Sequence, residues 1–501
     1  MGPPRDLGRK SLLLVSATWV ASALGFLSTL LVARRLGPEA LGALGFGFGL
    51  VGVLAAALLP GFAQAHTKRV AEGRDVGRCV GTMGAIQLAL HGVLLGALAV
   101  AWPWWPLVLP VGVPLVVVVS LVAAQVLSNF AAVFTGAFIG REWAVAYGGI
   151  LVAGRGLRFA ATVAVLIWIP DVRWVAASYP IEGAVEILLG WYVLRGRRGV
   201  RIQSPDRATV RDYWMYAKPL LVTSPVSMLQ DSLDRVLVAR WAGLAAAGYY
   251  QVARALWEVL GTLNAYPFQL LFARLSKLFA SRSAVQDAEA RRLFASAVDK
   301  LLFMAVPAAF LLWAFRNPAI TFLYGDRFLP AAAPLMVFVV AALAQTALNP
   351  YHFVIYALDE HRRFVPVVLL RLVVYLAAMV VAVPLWGGTG AAAVRLLLVV
   401  FPAWVFLRWA RELAGIGFQP WTWLYLAGFT GLVVINEVAR MLLESLGAAH
   451  AVALVAAIAI AGTAYALLLW TAHPNTPANL RYSRDLIHPR RFAVFVRGGS
   501  P

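Results

Sequence analysis

The chain has 501 residues, of which 61% are hydrophobic and 13% charged, with a net charge of +20 and a mean hydropathy of +0.78. Soluble globular proteins carry about 25% charged residues, so this composition excludes that class and indicates a polytopic membrane protein. The single cysteine, Cys79, excludes an internal disulfide bond and a cysteine-rich metal site. The first apolar run, residues 11–33, is long enough to anchor the chain and is not typical of a cleavable signal.

Fourteen apolar segments have the length needed to cross a bilayer as helices. Lipid offers the backbone no hydrogen-bonding partner, and strand-like alternation is absent, so these segments are predicted to be helical. We number them span 1 to span 14 in chain order: residues 11–33, 40–62, 79–101, 114–139, 146–169, 174–194, 216–239, 246–272, 294–315, 331–357, 364–385, 388–410, 420–441 and 448–471. The predicted fold class is an all-α polytopic membrane protein with about fourteen transmembrane helices.

Lysine and arginine placement predicts the orientation. With the N-terminus in the cytoplasm, the inner segments hold thirty of the 43 basic residues and the outer loops hold seven. Both termini are therefore predicted to be cytoplasmic. The positive charge follows the positive-inside rule and attraction to anionic lipid, so nucleic acid is not expected as a partner.

A twelve-residue stretch occurs twice in the chain. LVARRLGPEALG at Leu31–Gly42 and LVARWAGLAAAG at Leu237–Gly248 share seven identical positions at a constant offset, including two glycine pairs and one arginine pair. Six spans separate the copies, which predicts a parallel repeat of two similarly oriented halves; chance similarity between apolar segments is the alternative. We predict a first lobe (1–200, spans 1–6), a second lobe (201–412, spans 7–12), spans 13 and 14 (413–475) and a basic cytoplasmic tail (476–501). The tail either lies on the anionic inner leaflet or stays unstructured.

Enzyme motifs are missing from the sequence. It contains no GxxxxGK[ST] loop, no HExxH, no GxSxG and no cluster of metal-ligating residues. His91 and His352 are interpreted as packed side chains. We expect no cofactor, no metal and no enzymatic activity.

Charged side chains inside the predicted spans are the main candidates for a functional site. The intramembrane arginines are Arg155, Arg158, Arg235, Arg254, Arg371 and Arg395, and the acids are Glu182, Glu186, Asp231, Asp234, Glu258 and Glu437. A charge facing lipid near the bilayer centre costs about 2.5–3.5 kcal/mol. Most of these groups must therefore face one another or a hydrated cavity, and Glu437 is expected near the outer interface.

Spacing groups several of these charges. Arg155 and Arg158 share one face of span 5, and Glu182 and Glu186 share one face of span 6. Asp231 and Arg235 lie one turn apart in span 7, as do Arg254 and Glu258 in span 8. Structural ion pairs are one interpretation. The other is a hydrated cavity between the lobes, whose arginines suit an anionic substrate because a guanidinium matches phosphate oxygens in bidentate fashion.

Several segments resemble a known family. The matching segments are LLVARRLGPEALGALGFG, YAKPLLVTSP, VLVARWAGLAAAGYYQVARAL, YPFQLLFARLSKLFA and FLYGDRFLPAAAPLMVF. They are similar to segments of the Wzx-type polysaccharide or O-antigen flippases of the multidrug/oligosaccharidyl-lipid/polysaccharide (MOP) superfamily. The resemblance implies alternating access around a cationic cavity, undecaprenyl-pyrophosphate-linked oligosaccharide as substrate, and coupling to a proton or sodium gradient. Span 1 carries no charge, unlike the lipid II flippases, which counts against that subfamily.

The resemblance also sets expectations for location and partners. It implies a monomer in the cytoplasmic membrane of a bacterium, with an anionic lipid-linked glycan, membrane lipids, a polysaccharide polymerase and glycosyltransferases as partners. The arginines Arg155, Arg158, Arg235, Arg254, Arg371 and Arg395 are the substrate-binding candidates, and Glu182, Glu186, Asp231, Asp234 and Glu258 the candidates for ion coupling or charge pairing. A cation-coupled multidrug exporter and, less favoured because no long outer loop is present, a glycan polymerase are the alternatives.

Overall fold

The computed structural model describes residues 4–56, 58, 61–105, 109–218, 223–280, 283–358, 360, 363–473 and 475–487. Apart from short 3₁₀ and π turns, the regular structure of these residues is α-helical. Eighteen α-helices lie in these ranges: α1 (Pro4–Leu36), α2 (Pro38–Ala56), α3 (Gly61–Ala71), α4 (Val76–Val100), α5 (Leu115–Gly140), α6 (Ala144–Trp168), α7 (Val172–Tyr192), α8 (Arg207–Ala217), α9 (Thr223–Trp241), α10 (Leu244–Ala280), α11 (Ala284–Ala314), α12 (Arg316–Tyr324), α13 (Ala332–Ala357), α14 (Phe364–Val400), α15 (Ala403–Ala414), α16 (Trp421–Ser445), α17 (His450–Ala472) and α18 (Thr476–Ile487).

The predicted all-α polytopic fold is confirmed, whereas the count of fourteen spans is not. Among the described residues, 10 helical segments are long and apolar enough to cross a membrane. Spans 6, 7 and 8 form the helices α7, α9 and α10, but their charged side chains lower their hydropathy below that of the ten. Spans 11 and 12 fall within one long segment, Phe364–Ala414.

A glycine divides that long segment. Gly387 has φ 55° and ψ −132°, which is not helical, so α14 consists of two helical segments that meet at this residue. A Cβ atom placed on Gly390 would overlap the carbonyl oxygen of Ala382. The two segments therefore approach each other closely just after the break, and only glycine fits there. The break coincides with the boundary predicted between spans 11 and 12.

The duplicated stretch has the same local structure in both copies. Each copy ends one helix, turns at a glycine with positive φ (Gly37, 85°; Gly243, 90°) and starts the next helix at once. In both copies the Val-Ala pair before the arginine is buried and the arginine itself is exposed. Since a positive φ strains any residue with a Cβ, the conserved spacing of glycine reflects the same turn built twice.

The two copies also pack on each other. A Cβ on Gly42 of α2 would overlap the carbonyl oxygen of Leu244, and a Cβ on Gly248 of α10 would overlap the carbonyl oxygen of Pro38. Pro38 and Leu244 occupy equivalent positions of the repeat, so the contact is reciprocal, as in a two-fold symmetric interface. The duplicated glycines are therefore required where two helix starts meet backbone to backbone.

The chain divides into two compact units, unit 1 (Met1–Gln251) and unit 2 (Val252–Pro501). In unit 1 the main helix pairs are α5 with α7, α1 with α6 and α2 with α9. In unit 2, α16 packs on α17, and α13 packs on α14 and α11. The lobe boundaries predicted from the sequence stay predictions.

A short basic segment at the predicted cytoplasmic side of unit 1 is held by ion pairs. Arg69 Nη2 donates to Asp212 Oδ1 at 2.8 Å, and Arg74 Nη1 lies 2.9 Å from Asp212 Oδ2, which ties α8 to α3. Asp206 caps α8 by accepting the backbone N–H of Thr209 at 2.6 Å, and this hydrogen bond lowers the pKa of the Asp206 carboxyl. Of the predicted tail, residues 476–487 form α18, and residues 488–501 lie outside the described residues.

We expect Gly42→Ala and Gly248→Ala each to destabilise the protein by about 1–3 kcal/mol, because the added methyl group meets backbone atoms that cannot move aside independently. Thermal unfolding of the purified protein in detergent measures this effect. Gly84→Ala is the matched control, since a Cβ there meets nothing within 4 Å and alanine favours a helix over glycine. Equal melting temperatures for all three variants would contradict the reciprocal contact.

Candidate functional site

Two arginines of α6 share one carboxylate of α7. Arg155 Nε lies 2.7 Å from Glu182 Oε1, and Arg158 Nε lies 3.2 Å from Glu182 Oε2. The N–H bonds are not directed at the oxygens, so these contacts are ion pairs without well-formed hydrogen bonds. The two arginines are three residues apart and leave the same helix face. The structure thus brings together three of the residues that the sequence singled out.

Helix α1 and an aromatic ring complete the surroundings of this arginine pair. The ring of Tyr179 lies 4.6 Å from Arg158 Cζ, which is a cation–π contact. A Cβ on Gly25 of α1 would lie 3.0 Å from Arg155 Nη1, so glycine leaves space for the guanidinium beside the helix. The Arg155 side chain stays 30% exposed, whereas that of Arg158 is 7% exposed. One guanidinium is therefore accessible to a ligand and the other is fixed.

Glu186 lies one turn after Glu182 on α7 but in a different environment. It is 8% exposed, and among the described residues no ion pair or hydrogen bond to its carboxylate is found. Gly154 of α6 allows this close packing, because a Cβ there would lie 2.9 Å from Glu186 Cγ. A buried carboxylate without a paired cation is costly in its charged form, which makes Glu186 suited to bind a proton or a metal cation.

The corner between α9 and α10 contains a second set of predicted site residues. Tyr250 Oη donates to Asp234 Oδ2 at 2.5 Å, and the backbone N–H of Arg235 donates to Asp234 Oδ1 at 2.8 Å. Asp234 is completely buried, Asp231 is exposed and Arg235 is half-buried. Asp234 therefore holds the two helices together.

The remaining predicted residues lie in unit 2. Arg254 Nε donates to Glu258 Oε1 at 2.8 Å, with Arg254 buried and Glu258 exposed. Arg371 is half-buried in the first segment of α14, and Arg395 is buried in the second. Both interact with other groups of the protein. A single cavity containing these arginines together with Arg155 and Arg158 stays a prediction.

A buried carboxylate that sequence reasoning missed is Asp299 of α11. It accepts hydrogen bonds from Tyr425 Oη at 2.7 Å and from the amides of Asn475 and Asn479 at 3.2 and 3.0 Å. His473 Nε2 lies 2.9 Å from the same carboxylate. The network fastens α18 to α11 and α16. In the sequence Asp299 is an acid beside Lys300 near the start of span 9, and nothing local marks it as buried, because its partners come from distant segments.

Two histidines are packed as predicted, and Glu437 is ion-paired. His91 donates from Nδ1 to the carbonyl of Gln87 at 2.7 Å and accepts at Nε2 from the Asn129 amide at 3.2 Å. His352 lies among aromatic rings of unit 2. Glu437 lies 3.1 Å from Arg316 and 2.6 Å from Arg440. These groups are internally paired or packed and do not extend the candidate site.

Comparison with known families decides the relationship. A family model described as polysaccharide biosynthesis protein matches residues 7–279, more than half of the chain. The chain belongs to the polysaccharide biosynthesis protein family. The matched part of this family member contains the arginine pair and Glu182. Comparison with curated protein sequences finds no match.

Solved transporter structures share the fold of this polysaccharide biosynthesis family member. The lipid II flippase MurJ in an inward closed conformation has a TM-score of 0.66 at 12% identity, covering 95% of this chain and 100% of that one. An inward-facing multidrug resistance MATE transporter has a TM-score of 0.64 at 16% identity, covering 81% and 98%. A MOP superfamily transporter from Pyrococcus furiosus has a TM-score of 0.54 at 18% identity, covering 83% and 96%. The protein is thus a multi-pass membrane protein with the fold of the MOP superfamily.

We expect Glu182→Gln to destabilise the protein by about 1–3 kcal/mol, because it leaves two guanidiniums without their carboxylate. Glu186→Gln is the matched control on the same helix face, since it removes no ion pair, and we expect no destabilisation because glutamine removes a buried charge. Thermal unfolding in detergent compares the two. A larger loss for Glu186→Gln would show that the ion pairs of Glu182 are not what stabilises the packing of α6 on α7.

Proposed function

We propose that the protein transports a lipid-linked oligosaccharide, with an undecaprenyl-pyrophosphate carrier, from the cytoplasmic to the outer leaflet for polysaccharide export. The observation that carries the proposal is the arginine pair of α6. Two guanidiniums converge on one carboxylate inside a membrane protein of the polysaccharide biosynthesis family. When Glu186 is neutralised by a bound proton or metal cation, the two positive charges face one negative charge, which leaves an attraction for an anion at that place.

Pyrophosphate fits this place chemically. Guanidinium groups bind phosphate oxygens through paired hydrogen bonds, and the Arg155 Nε–H is not used in a well-directed hydrogen bond to Glu182. A phosphate would displace the Glu182 carboxylate from Arg155 while the buried Arg158 stays in place on Tyr179. Exchange of one anionic partner for another lets the site bind and release its substrate without ever leaving both arginines uncompensated.

The proposed transport uses alternating access in the cytoplasmic membrane of a bacterium, with both termini in the cytoplasm. It involves no covalent chemistry. A proton or sodium gradient supplies the energy, and Glu186 is the residue that we assign to the coupling cation. Its burial beside an already paired Glu182 gives a carboxylate whose charge a bound cation would neutralise.

Replacing both arginines, Arg155→Ala with Arg158→Ala, is expected to abolish export and to accumulate lipid-linked glycan in the inner leaflet at normal protein levels. Removal of both guanidiniums eliminates the anion site. The measurement is the leaflet distribution of the lipid-linked glycan in cells or reconstituted vesicles. The single Arg155→Lys variant should retain partial transport, because lysine keeps the charge but loses the bidentate geometry.

Arg211→Ala, which removes an exposed arginine of α8, is the control and should transport normally. Unchanged export by the double variant would exclude the arginine pair from the mechanism. Export of small cationic drugs by the unaltered protein, without movement of the glycan, would favour the multidrug exporter.

Glu186→Gln is expected to bind the lipid-linked glycan normally but to lose the response of transport to an imposed proton or sodium gradient. Glutamine preserves the side-chain volume and cannot exchange a proton or neutralise a cation. Vesicles with a defined gradient, containing either the unaltered protein or the variant, provide the comparison. A variant that still responds to both gradients would remove Glu186 from the coupling step.

A further inference from the structure

A large groove in unit 2 is lined by none of the residues assigned above. It has a volume of about 920 Å³ and three helical walls, contributed by α13, by the end of α14 with α15, and by α16. The wall residues recur at helical spacing, as in Leu343, Ala347, Leu426 and Phe429, so each helix presents one continuous face to the groove. Apart from Thr422 and Thr430, the walls between its ends are apolar.

One end of the groove carries positive charge. Trp404, Leu407, Arg408 and Arg411 line it at positions i, i+3, i+4 and i+7 of a single face of α15. The Arg408 guanidinium lies 6.0 Å from the Trp404 ring. Both arginines are exposed, and α15 leads into the loop that the predicted topology places in the cytoplasm. Tryptophan and arginine together are typical of the headgroup region of a bilayer.

The charges facing this end are mostly positive. Glu412 accepts from Arg408 Nε at 2.7 Å, with both side chains about half exposed or more, and an exposed pair of this kind is weak. Arg291 of α11 donates to the carbonyl of Ala414 at 2.9 Å, close to the end of α15. The two arginines that line the groove, against the Glu412 carboxylate, therefore leave this end able to hold a phosphate.

The length of the groove indicates which kind of hydrocarbon chain fits it. Its walls on α13 (340–348) and α16 (422–430) each extend over nine residues, a rise of about 12 Å along the helix. One leaflet contributes about 15 Å of hydrocarbon to a bilayer, so the groove matches the acyl chains of a lipid in one leaflet. The polyprenyl chain of a lipid-linked glycan is several times longer than such an acyl chain.

We propose that this groove is a binding site for an anionic phospholipid of the inner leaflet, whose phosphate lies at Arg408 and Arg411 and whose acyl chains lie between α13, α15 and α16. The site goes beyond the proposed transport function and does not depend on it. Basic pockets between transmembrane helices on the cytoplasmic side are suited to anionic lipid headgroups. Bound lipid would cover the exposed aromatic rings Trp404 and Trp423.

The test titrates the purified full-length protein with phosphatidylglycerol or phosphatidylcholine and counts bound lipid by native mass spectrometry. We expect phosphatidylglycerol to bind more tightly, and the double variant Arg408→Ala with Arg411→Ala to weaken its binding about 25-fold, or about fivefold for each arginine. Arg207→Ala, an exposed arginine of unit 1, is the matched control and should bind phosphatidylglycerol normally.

A second variant tests the apolar part without changing charge. Ala344→Trp fills the groove from α13 and should reduce the binding of both lipids, whether or not the arginine variant folds. Equal binding of both lipids by the unaltered protein, or unchanged binding by the variants, would overturn the proposal. Preferential binding of undecaprenyl phosphate over phosphatidylglycerol, lost in the same variants, would also overturn it, because the groove would then hold a polyprenyl chain.

Discussion

The ion pairs of Glu182 with Arg155 and Arg158 are the interaction on which the candidate site depends. Inside a bilayer an isolated charge is expensive, so the arginines can be kept between helices only with a carboxylate in contact. The pairing requires α6 and α7 to lie side by side, and it requires glycines at Gly25 and Gly154 where neighbouring atoms come closest. In this part of unit 1, the same packing of α6 on α7 therefore satisfies both the steric fit of the helices and the pairing of their charges.

The reciprocal glycine contact shows how a duplicated sequence becomes a structural symmetry. Each copy supplies both a glycine and the carbonyl that faces the other copy's glycine. A substitution of the glycine in one copy therefore disturbs only half of the contact. The arginines of the two copies are exposed, so the repeated stretch contributes packing and no binding chemistry.

Asp299 and Glu186 are two buried carboxylates in different environments. Asp299 is saturated with hydrogen bonds and fixes α18, whereas Glu186 in unit 1 has no ion pair or hydrogen bond among the described residues. Saturated groups stabilise one structure and are poorly suited to exchange ligands. A carboxylate whose oxygens accept no hydrogen bond and form no ion pair is suited to take up and release a cation. This contrast separates structural charges from candidates for transport better than intramembrane location alone.

The sequence by itself determined the helical membrane fold, the turn at each repeat and the position of Arg155 and Arg158 on one helix face. These features depend on hydropathy and on spacing along a single helix. It also placed the break at residues 386–388. It could not determine the exact number of spans, since charged helices such as α7 and α9 lack the hydropathy that marks the others. Only the tertiary structure decided that Glu182 is shared by two arginines while Glu186 is not, and that Asp234 is buried while Asp231 is exposed. It also revealed the Asp299 network and the groove beside α15. These features depend on which faces of helices distant in the sequence pack together, and local sequence patterns do not predict that packing.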